Sequence, residues 1–169
     1  MNRKKTMKDI DVTGKRCLVR VDFNVPMDET GKITDETRIV NTLPNIHNLL
    51  GRGAKIILIS HLGRPEEKDP AFSLTPVAKR TAELLGKENI NVYDIDNSET
   101  LNIVNTMKNG DIIFLENIRY YRPERKEYLE FANRLKEYGD IFINDAFGAA
   151  HRVHGSTVGL AHYLPAVQG

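Results

Sequence analysis

The sequence predicts an α/β fold: a doubly wound, Rossmann-like, mostly parallel sheet with helices on both faces. Apolar runs of strand length alternate along the chain with segments whose apolar residues recur at helical spacing. The segment AKIILIS at 54–60 is a continuous apolar run of the kind found in strands buried on both faces. With 169 residues, 40% of them hydrophobic, the chain can bury its own core, so we expect one domain over residues 1–169.

Five strands are expected, each bounded by turn or loop residues. They lie at 16–21, 54–60, 89–95, 111–116 and 140–145. Between the first strand and the first helix, the stretch from Asp28 to Gly31 has the composition of a tight turn. Because strands and helices alternate in chain order, neighbouring strands should run parallel.

Four helices should connect these strands, and a short helix should close the chain. The first should begin near Thr34, kink at Pro44 and end at Gly51 or Gly53. Thr75 should cap the second. The later helices are expected at 75–86, 98–108, 125–138 and 157–164.

Composition and charge exclude several classes of protein. Lys and Arg number 24 against 23 Asp and Glu, a net charge of +1 that argues against a nucleic-acid-binding surface. The single cysteine, Cys17, allows no internal disulfide and lies in a predicted strand, where we expect a core residue rather than a nucleophile. The start of the chain does not resemble a signal peptide, and no stretch has the length of a membrane span. We therefore expect a cytoplasmic monomer that binds neither membrane nor nucleic acid.

Basic side chains follow four of the five predicted strands, each beside glycine or proline. Ligands of open parallel sheets bind outside the carboxyl ends of the strands, so these loops should share one site. Arginine offers paired donors to phosphate and carboxylate, and glycine lets the backbone approach closely. The polar and basic residues of these loops are Asp22, Asn24, Arg38, His61, Gly63, Arg64, Arg119, Arg122, His151, Arg152 and His154. They predict a site for a small, highly anionic phosphorylated metabolite; the acidic loop DIDNSE after the third strand should lie outside it.

The sequence motifs do not support a nucleotide-cofactor site or a metal site. The chain has neither GxGxxG nor GxxxxGK[ST], so no cofactor-binding residues are expected here. The histidines do not have metal-ligand spacing with cysteines, and we expect no metal site. Asp145, at the end of the fifth strand, could act as a base or cap a loop, and the sequence leaves both roles open.

Five segments resemble, in order and spacing, the signature segments of the phosphoglycerate kinase family. They are VRVDFNVP (19–26), TRI (37–39), SHLGRP (60–65), LENIRYY (115–121) and NDAFGAAHRVHGST (144–157), within a resemblance that runs from about residue 15 to 165. The resemblance implies a glycolytic enzyme that reversibly transfers a phosphoryl group between 1,3-bisphosphoglycerate and ADP. In that family the N-terminal domain binds phosphoglycerate and the C-terminal domain binds Mg-nucleotide.

The resemblance also implies roles for individual residues. Asp22 and Asn24 would bond the hydroxyl and carboxyl end of the substrate, and Arg38 would be the catalytic residue facing the transferring group. The residues implied around the 3-phosphate are His61, Arg64, Arg119 and Arg152. The resemblance also places Phe23, Leu62 and Gly63 in the substrate-binding segments.

The family continues beyond the point where this chain stops. We therefore expect the N-terminal substrate-binding domain without the C-terminal nucleotide domain, inactive alone, with Mg-ATP or Mg-ADP used only by the full-length enzyme. The alternative is a stand-alone binding or sensor module for a phosphorylated acid. Arg38 favours the enzyme, since a pure binder needs no group aimed at a transferring phosphoryl, whereas the extent of the chain favours the module. Nucleic-acid binding through the basic loops is disfavoured because no pattern of stacking aromatic residues accompanies them.

Overall fold

A computed structural model describes residues 6–121, 128–146 and 164–169. Its six strands form one sheet in the order β3-β4-β2-β1-β5-β6, and all of the paired strands are parallel. The strands are β1 (Arg16–Val21), β2 (Lys55–Ile59), β3 (Val92–Tyr93), β4 (Ile112–Leu115), β5 (Ile141–Asp145) and β6 (Ala166–Gln168). The helices are α1 (Thr37–Gly51), α2 (Thr75–Leu85), α3 (Glu99–Asn105) and α4 (Tyr128–Leu135). None of the helices in these ranges has the length and apolar content needed to cross a bilayer.

The sheet has one hydrophobic cluster on each face, which confirms the predicted doubly wound architecture. Alternate residues of β1 divide between them: Leu18 belongs to the cluster that includes residues of α3 and α4, and Val19 to the one that includes residues of α1 and α2. Cys17 is fully buried, and burial raises the pKa of its thiol to about 12. It is therefore a core residue, as predicted.

The predicted strands are all present, but their lengths differ from the prediction where polar residues intervene. β1 has the predicted bounds. β3 has only two residues instead of the seven predicted at 89–95, because Asn89, Asn91 and Asp94 are poor strand formers. The chain also turns at Asp94, whose carbonyl accepts the Asn97 N–H. The turn from Asp28 to Gly31 is present, with Gly31 at a φ of 82°.

The sequence did not predict the strand β6 (Ala166–Gln168). β6 pairs with β5 in the register Ile143↔Val167. Only Val167 of its three residues is buried, so β6 has no hydrophobic period that would identify it in the sequence. The predicted closing helix at 157–164 lies almost entirely outside the described residues.

The helices begin later or end earlier than their sequence patterns indicate. α1 starts at Thr37 because Asp35 turns the chain first, accepting bonds from the Thr37 N–H at 2.9 Å and from its hydroxyl at 2.6 Å. α1 then runs through Pro44 to Gly51. Thr75 is the first residue of α2 rather than its cap, and Ser73 Oγ accepts its N–H. The first residues of the predicted helix 125–138 lie outside the described part, and its end is a 3₁₀ turn after Leu135.

The strand order brings the expected loops to one edge. Strands β2 to β4 lie on one side of β1, and the chain then crosses to place β5 on the other side. Such a reversal opens a crevice at the carboxyl ends of the strands, here those of β1 and β5. The segments that follow β1, β2 and β4 are described and meet at this edge.

Candidate functional site

Arg38 lies against the loop that follows β1. Its Nη1 donates to Asp22 Oδ1 at 3.2 Å and to the Asn24 carbonyl at 2.8 Å. The Arg38 side chain is 52% exposed and that of Asp22 is 24% exposed. An ion pair this accessible adds little stability, so the guanidinium and the carboxylate can exchange this contact for an incoming ligand at small cost.

Asn24 joins the loop after β1 to the loop after β2. Its Oδ1 accepts the Gly63 N–H at 2.8 Å. Gly63 has a φ of 58°, and a Cβ there would lie 2.5 Å from the ring of Phe72. Glycine is therefore required at this position both by backbone conformation and by space.

Two of the predicted substrate-binding residues have their side chains in the core. Phe23 is fully buried and Leu62 is 4% exposed. Their backbone N–H groups donate to Ser60 Oγ and Asn117 Oδ1 respectively. Phe23 and Leu62 thus shape the two loops, while the polar residues beside them face the edge.

Asn117 links the loop after β2 to the segment after β4. Its Oδ1 accepts the N–H groups of Leu62 at 3.2 Å and Arg119 at 3.1 Å. Its Nδ2 donates to the carbonyls of Leu62 at 2.7 Å and Phe72 at 3.0 Å. The side chain is fully buried. Sequence reasoning did not single out Asn117; a polar residue just beyond a buried strand was the available signal.

Arg20 is a second residue that sequence reasoning missed. It is the last residue but one of β1, has no exposed surface, and places Nη2 3.1 Å from His61 Nδ1. Burial lowers its pKa to about 10, with the charge of Asp22 opposing this effect and that of Arg119 adding to it. The guanidinium is still protonated at neutral pH, so a positive charge lies at the end of the sheet, beneath the loops.

The remaining basic residues differ in how far the structure describes them. Arg64 is exposed in the loop after β2, and Arg119 is partly buried in the 3₁₀ turn Ile118–Tyr121 after β4. The predicted phosphate ligand Arg152 lies outside the described residues. So do three other basic residues of the predicted set, Arg122, His151 and His154.

The acidic loop after β3 is joined to neighbouring segments by ion pairs and a hydrogen bond. Lys68 Nζ lies 2.9 Å from Asp94 Oδ2 and 2.6 Å from Asp96 Oδ2, and Arg134 Nη2 lies 2.5 Å from Asp96 Oδ1. The Tyr121 hydroxyl donates to Asp94 Oδ1 at 2.8 Å. We call these five residues the acidic bracket; they tie the segments after β2, β3 and β4 together.

Asp145 lies at the same edge, at the end of β5. Asn45 Nδ2 donates to both of its carboxylate oxygens at 3.1 Å. Burial raises the pKa of Asp145, and the hydrogen bond from Asn45 opposes this effect. Its observed partner comes from α1, so the described contacts join the sheet edge to that helix.

The charges at the edge suit an anion held by arginine and imidazole donors. Within the described ranges, no group of three or more His, Cys, Asp and Glu side chains is arranged to hold a metal ion. The fold and the described residues thus define an α/β protein with basic side chains gathered at the carboxyl edge of its sheet, on the loops after β1, β2 and β4.

Comparison with known proteins identifies the family. Residues 7–169 match the sequence model described as "Phosphoglycerate kinase". The chain is 55% identical over 166 residues to the phosphoglycerate kinase of Borrelia turicatae, covering 98% of this chain and 42% of that protein. It is 49% identical over 170 residues to the enzyme of the same name from Aquifex aeolicus, covering 100% of this chain and 43% of the relative.

Solved structures give the same result. The structure of phosphoglycerate kinase from Coxiella burnetii matches with a TM-score of 0.86 and 35% identity, covering 98% of this chain and 41% of that one. The phosphoglycerate kinase from Pyrococcus horikoshii matches with a TM-score of 0.88 and 30% identity, covering 98% and 42%. This chain belongs to the phosphoglycerate kinase family, and it spans about 42% of the length of the curated relatives that it matches.

Proposed function

We propose that this chain binds 3-phosphoglycerate or 1,3-bisphosphoglycerate at the carboxyl edge of its sheet, as the N-terminal substrate-binding domain of a phosphoglycerate kinase. The observation that supports this most strongly is the linkage of the three described loops. Asn24 bonds Gly63, Arg20 lies beside His61, and Asn117 bonds both Leu62 and Arg119. Donors for a phosphorylated acid are thereby held on a rigid sheet edge.

The charges divide into two groups that suit the two ends of the substrate. Asp22 and Asn24, beside Arg38, offer acceptors and donors for the hydroxyl and carboxyl end. His61, Arg64 and Arg119 offer donors for the 3-phosphate, and Arg152 is proposed to join them. Bidentate arginine bonds to phosphate are strong and geometrically specific.

In the whole enzyme the reaction is a reversible phosphoryl transfer from 1,3-bisphosphoglycerate to ADP in glycolysis. Such a transfer depends on positioning and on stabilising developing charge, and no protein nucleophile is required. Arg38 supplies the positive charge at the transferring group from the exposed side of the site. The nucleotide and its Mg²⁺ are held by the family's second domain, and a cytoplasmic monomer remains our prediction.

Calorimetric titration of the chain tests this function. We expect weak binding of 3-phosphoglycerate and no specific binding of Mg-ATP, because the described charged edge accounts for one substrate only. Arg119→Met should weaken phosphoglycerate binding about 10- to 100-fold, since hydrogen bonds to charged groups contribute roughly 1.5–3 kcal/mol. Lys79→Met on the exposed face of α2 is the matched control and should have no effect. Mg-ATP binding without phosphoglycerate binding would refute the proposal.

Steady-state kinetics of the full-length enzyme separate the roles of two arginines. Arg38→Ala should lower kcat far more than it raises KM, because Arg38 acts on charge that develops during transfer. Arg64→Ala should mainly raise the KM for phosphoglycerate. Equal changes of both parameters in both variants would contradict this division, and would favour a site that only binds.

A further inference from the structure

The contact between Arg20 and His61 places a buried cation directly behind a partly exposed imidazole. Arg20 is on β1 and has no exposed surface, whereas His61 opens the loop after β2. The distance from Arg20 Nη2 to His61 Nδ1 is 3.1 Å, within hydrogen-bonding range.

The direction of this hydrogen bond is fixed by the chemistry of the two groups. A guanidinium carries N–H donors and has no acceptor, so Arg20 must donate. His61 Nδ1 must then accept through its lone pair, which requires that Nδ1 carry no proton. In a neutral imidazole the ring proton therefore sits on Nε2.

We propose that Arg20 is a positioning residue that holds His61 as the neutral Nε2–H tautomer, so that the ring turns an N–H donor away from Arg20 and toward the phosphate. The identity of the phosphate rests on the proposed function, whereas the tautomer does not. Arg20 therefore acts on the ligand through His61 rather than by touching it.

The charges around His61 agree with a neutral ring. Arg20 faces it from β1, the charge of Arg119 lowers the pKa of that same Arg20, and Arg64 lies three residues along the loop from His61. Asp22 is the carboxylate that interacts with Arg20, and it is shared with Arg38. An imidazolium would add one more positive charge beside the buried guanidinium, whereas a neutral Nε2–H group donates a hydrogen bond without that repulsion.

Nitrogen NMR of the histidine rings tests the tautomer directly. In the ¹⁵N-labelled chain at pH 7, His61 should show an unprotonated, pyridine-type Nδ1 and a protonated Nε2. The His61→Gln variant assigns the signals among the five histidines of the sequence. Arg20→Met should shift the ring toward the Nδ1–H form or a mixture, and Arg20→Lys, which restores a donor, should restore the wild-type pattern. An imidazolium or an Nδ1–H tautomer in the wild type would overturn the proposal, whatever the variants do.

Two substitutions of His61 provide a second test through binding. The side-chain amide of Gln can place an N–H donor where the imidazole has its Nε2–H. The shorter Asn side chain reaches only the position of Nδ1, so it still offers Arg20 an acceptor but has no donor at the Nε2 position. Titration with 3-phosphoglycerate should show His61→Gln within about threefold of the wild type and His61→Asn weaker by about tenfold or more. Equal losses would contradict the proposal. If the wild-type chain binds no 3-phosphoglycerate, the proposed function fails, and the NMR spectrum alone decides the tautomer.

Discussion

The buried side-chain amide of Asn117 joins the loop after β2 to the segment after β4. Its four hydrogen bonds satisfy backbone groups of Leu62, Phe72 and Arg119. Asn117→Ala leaves those groups without this partner, and each buried unsatisfied group costs about 1–3 kcal/mol. We expect the free energy of unfolding to fall by about 2–4 kcal/mol, measured by denaturant titration. Asn41→Ala, on the exposed face of α1, should change it by less than about 0.5 kcal/mol; equal losses would contradict the role given to Asn117.

The stability of the fold should depend on pH through Asp145, in a direction that follows from its pKa. Burial raises the pKa of Asp145 in the folded state, so the ionised carboxylate lowers the free energy of unfolding at any pH above that pKa. The cost disappears as pH falls toward the carboxyl's unfolded pKa. Asp145→Asn should therefore raise Tm at pH 7, and its advantage should shrink on acidification.

Asp28 is the matched control for this prediction. Its pKa is lowered, chiefly by the Thr30 hydroxyl, so its contribution to stability is present above the unfolded pKa and is lost as pH falls through the folded one. Asp28→Asn should accordingly lower Tm at neutral pH, and the loss should vanish in acid. A Tm for Asp145→Asn below that of the wild type at pH 7 would show that the Asn45 contact outweighs burial.

At the level of residues, the sequence located the charged loops but not the buried side chains that hold those loops in place. His61, Arg38 and Arg119 stood out because a charge after an apolar strand is conspicuous. Arg20 and Asn117 did not, because an arginine inside an apolar run and an asparagine beyond one acquire meaning only when a second strand is seen beside them. Such partners are distant in sequence, and pattern alone does not pair them.

Among the elements, the acidic bracket makes a prediction about the loop after β3. Tyr121→Phe keeps the ring stacked on Phe131, at 6.0 Å between centroids, but removes the hydroxyl that bonds Asp94 and accepts the Ile95 N–H. We expect a loss of about 1 kcal/mol in the free energy of unfolding. Phosphoglycerate affinity should also fall, by no more than about fivefold, because Arg119 lies on the same 3₁₀ turn.

Tyr93→Phe is the control for the bracket. The Tyr93 hydroxyl bonds Asn91 in an exposed position, so its removal should change neither stability nor affinity. Denaturant unfolding and calorimetric titration of the two variants measure both effects. Unchanged stability in Tyr121→Phe would mean that the bracket residues are solvated surface charges that do not stabilise the fold.

The strands could be predicted well where they are buried in the middle of the sheet and less well at its edges. β1 and β2 lie in the middle of the sheet and have strong apolar runs, and their predicted positions are confirmed. β3 and β6 lie at the edges of the sheet. Both residues of β3 are half-buried and two of the three residues of β6 are exposed, and a period of two cannot be recognised over two or three residues. Local hydrogen bonds such as that of Asp35 set helix ends, and they displaced the predicted starts by a few residues.

At the scale of the whole molecule, the two edges of the parallel sheet differ in the side chains that they present. Basic loops occupy the carboxyl edge. A groove at the amino edge of β3 and β4 is lined instead by mixed residues including Lys87, Asn91, Thr106 and Asp111. The doubly wound fold was predictable because alternating strands and helices permit few arrangements. The bonds that tie the loops to one another were not, because they depend on the final strand order.

The measurement that tests the central claim most directly is a map of backbone amide shifts as 3-phosphoglycerate is added to the ¹⁵N-labelled chain. A ligand at the carboxyl edge should perturb amides in 22–24, 61–64 and 118–119, which follow β1, β2 and β4. The amino-edge groove around Asn91 and Thr106 should remain unchanged and serves as the internal control. Perturbations concentrated in that groove, with the three loops unaffected, would contradict the assignment of the carboxyl edge as the phosphoglycerate site.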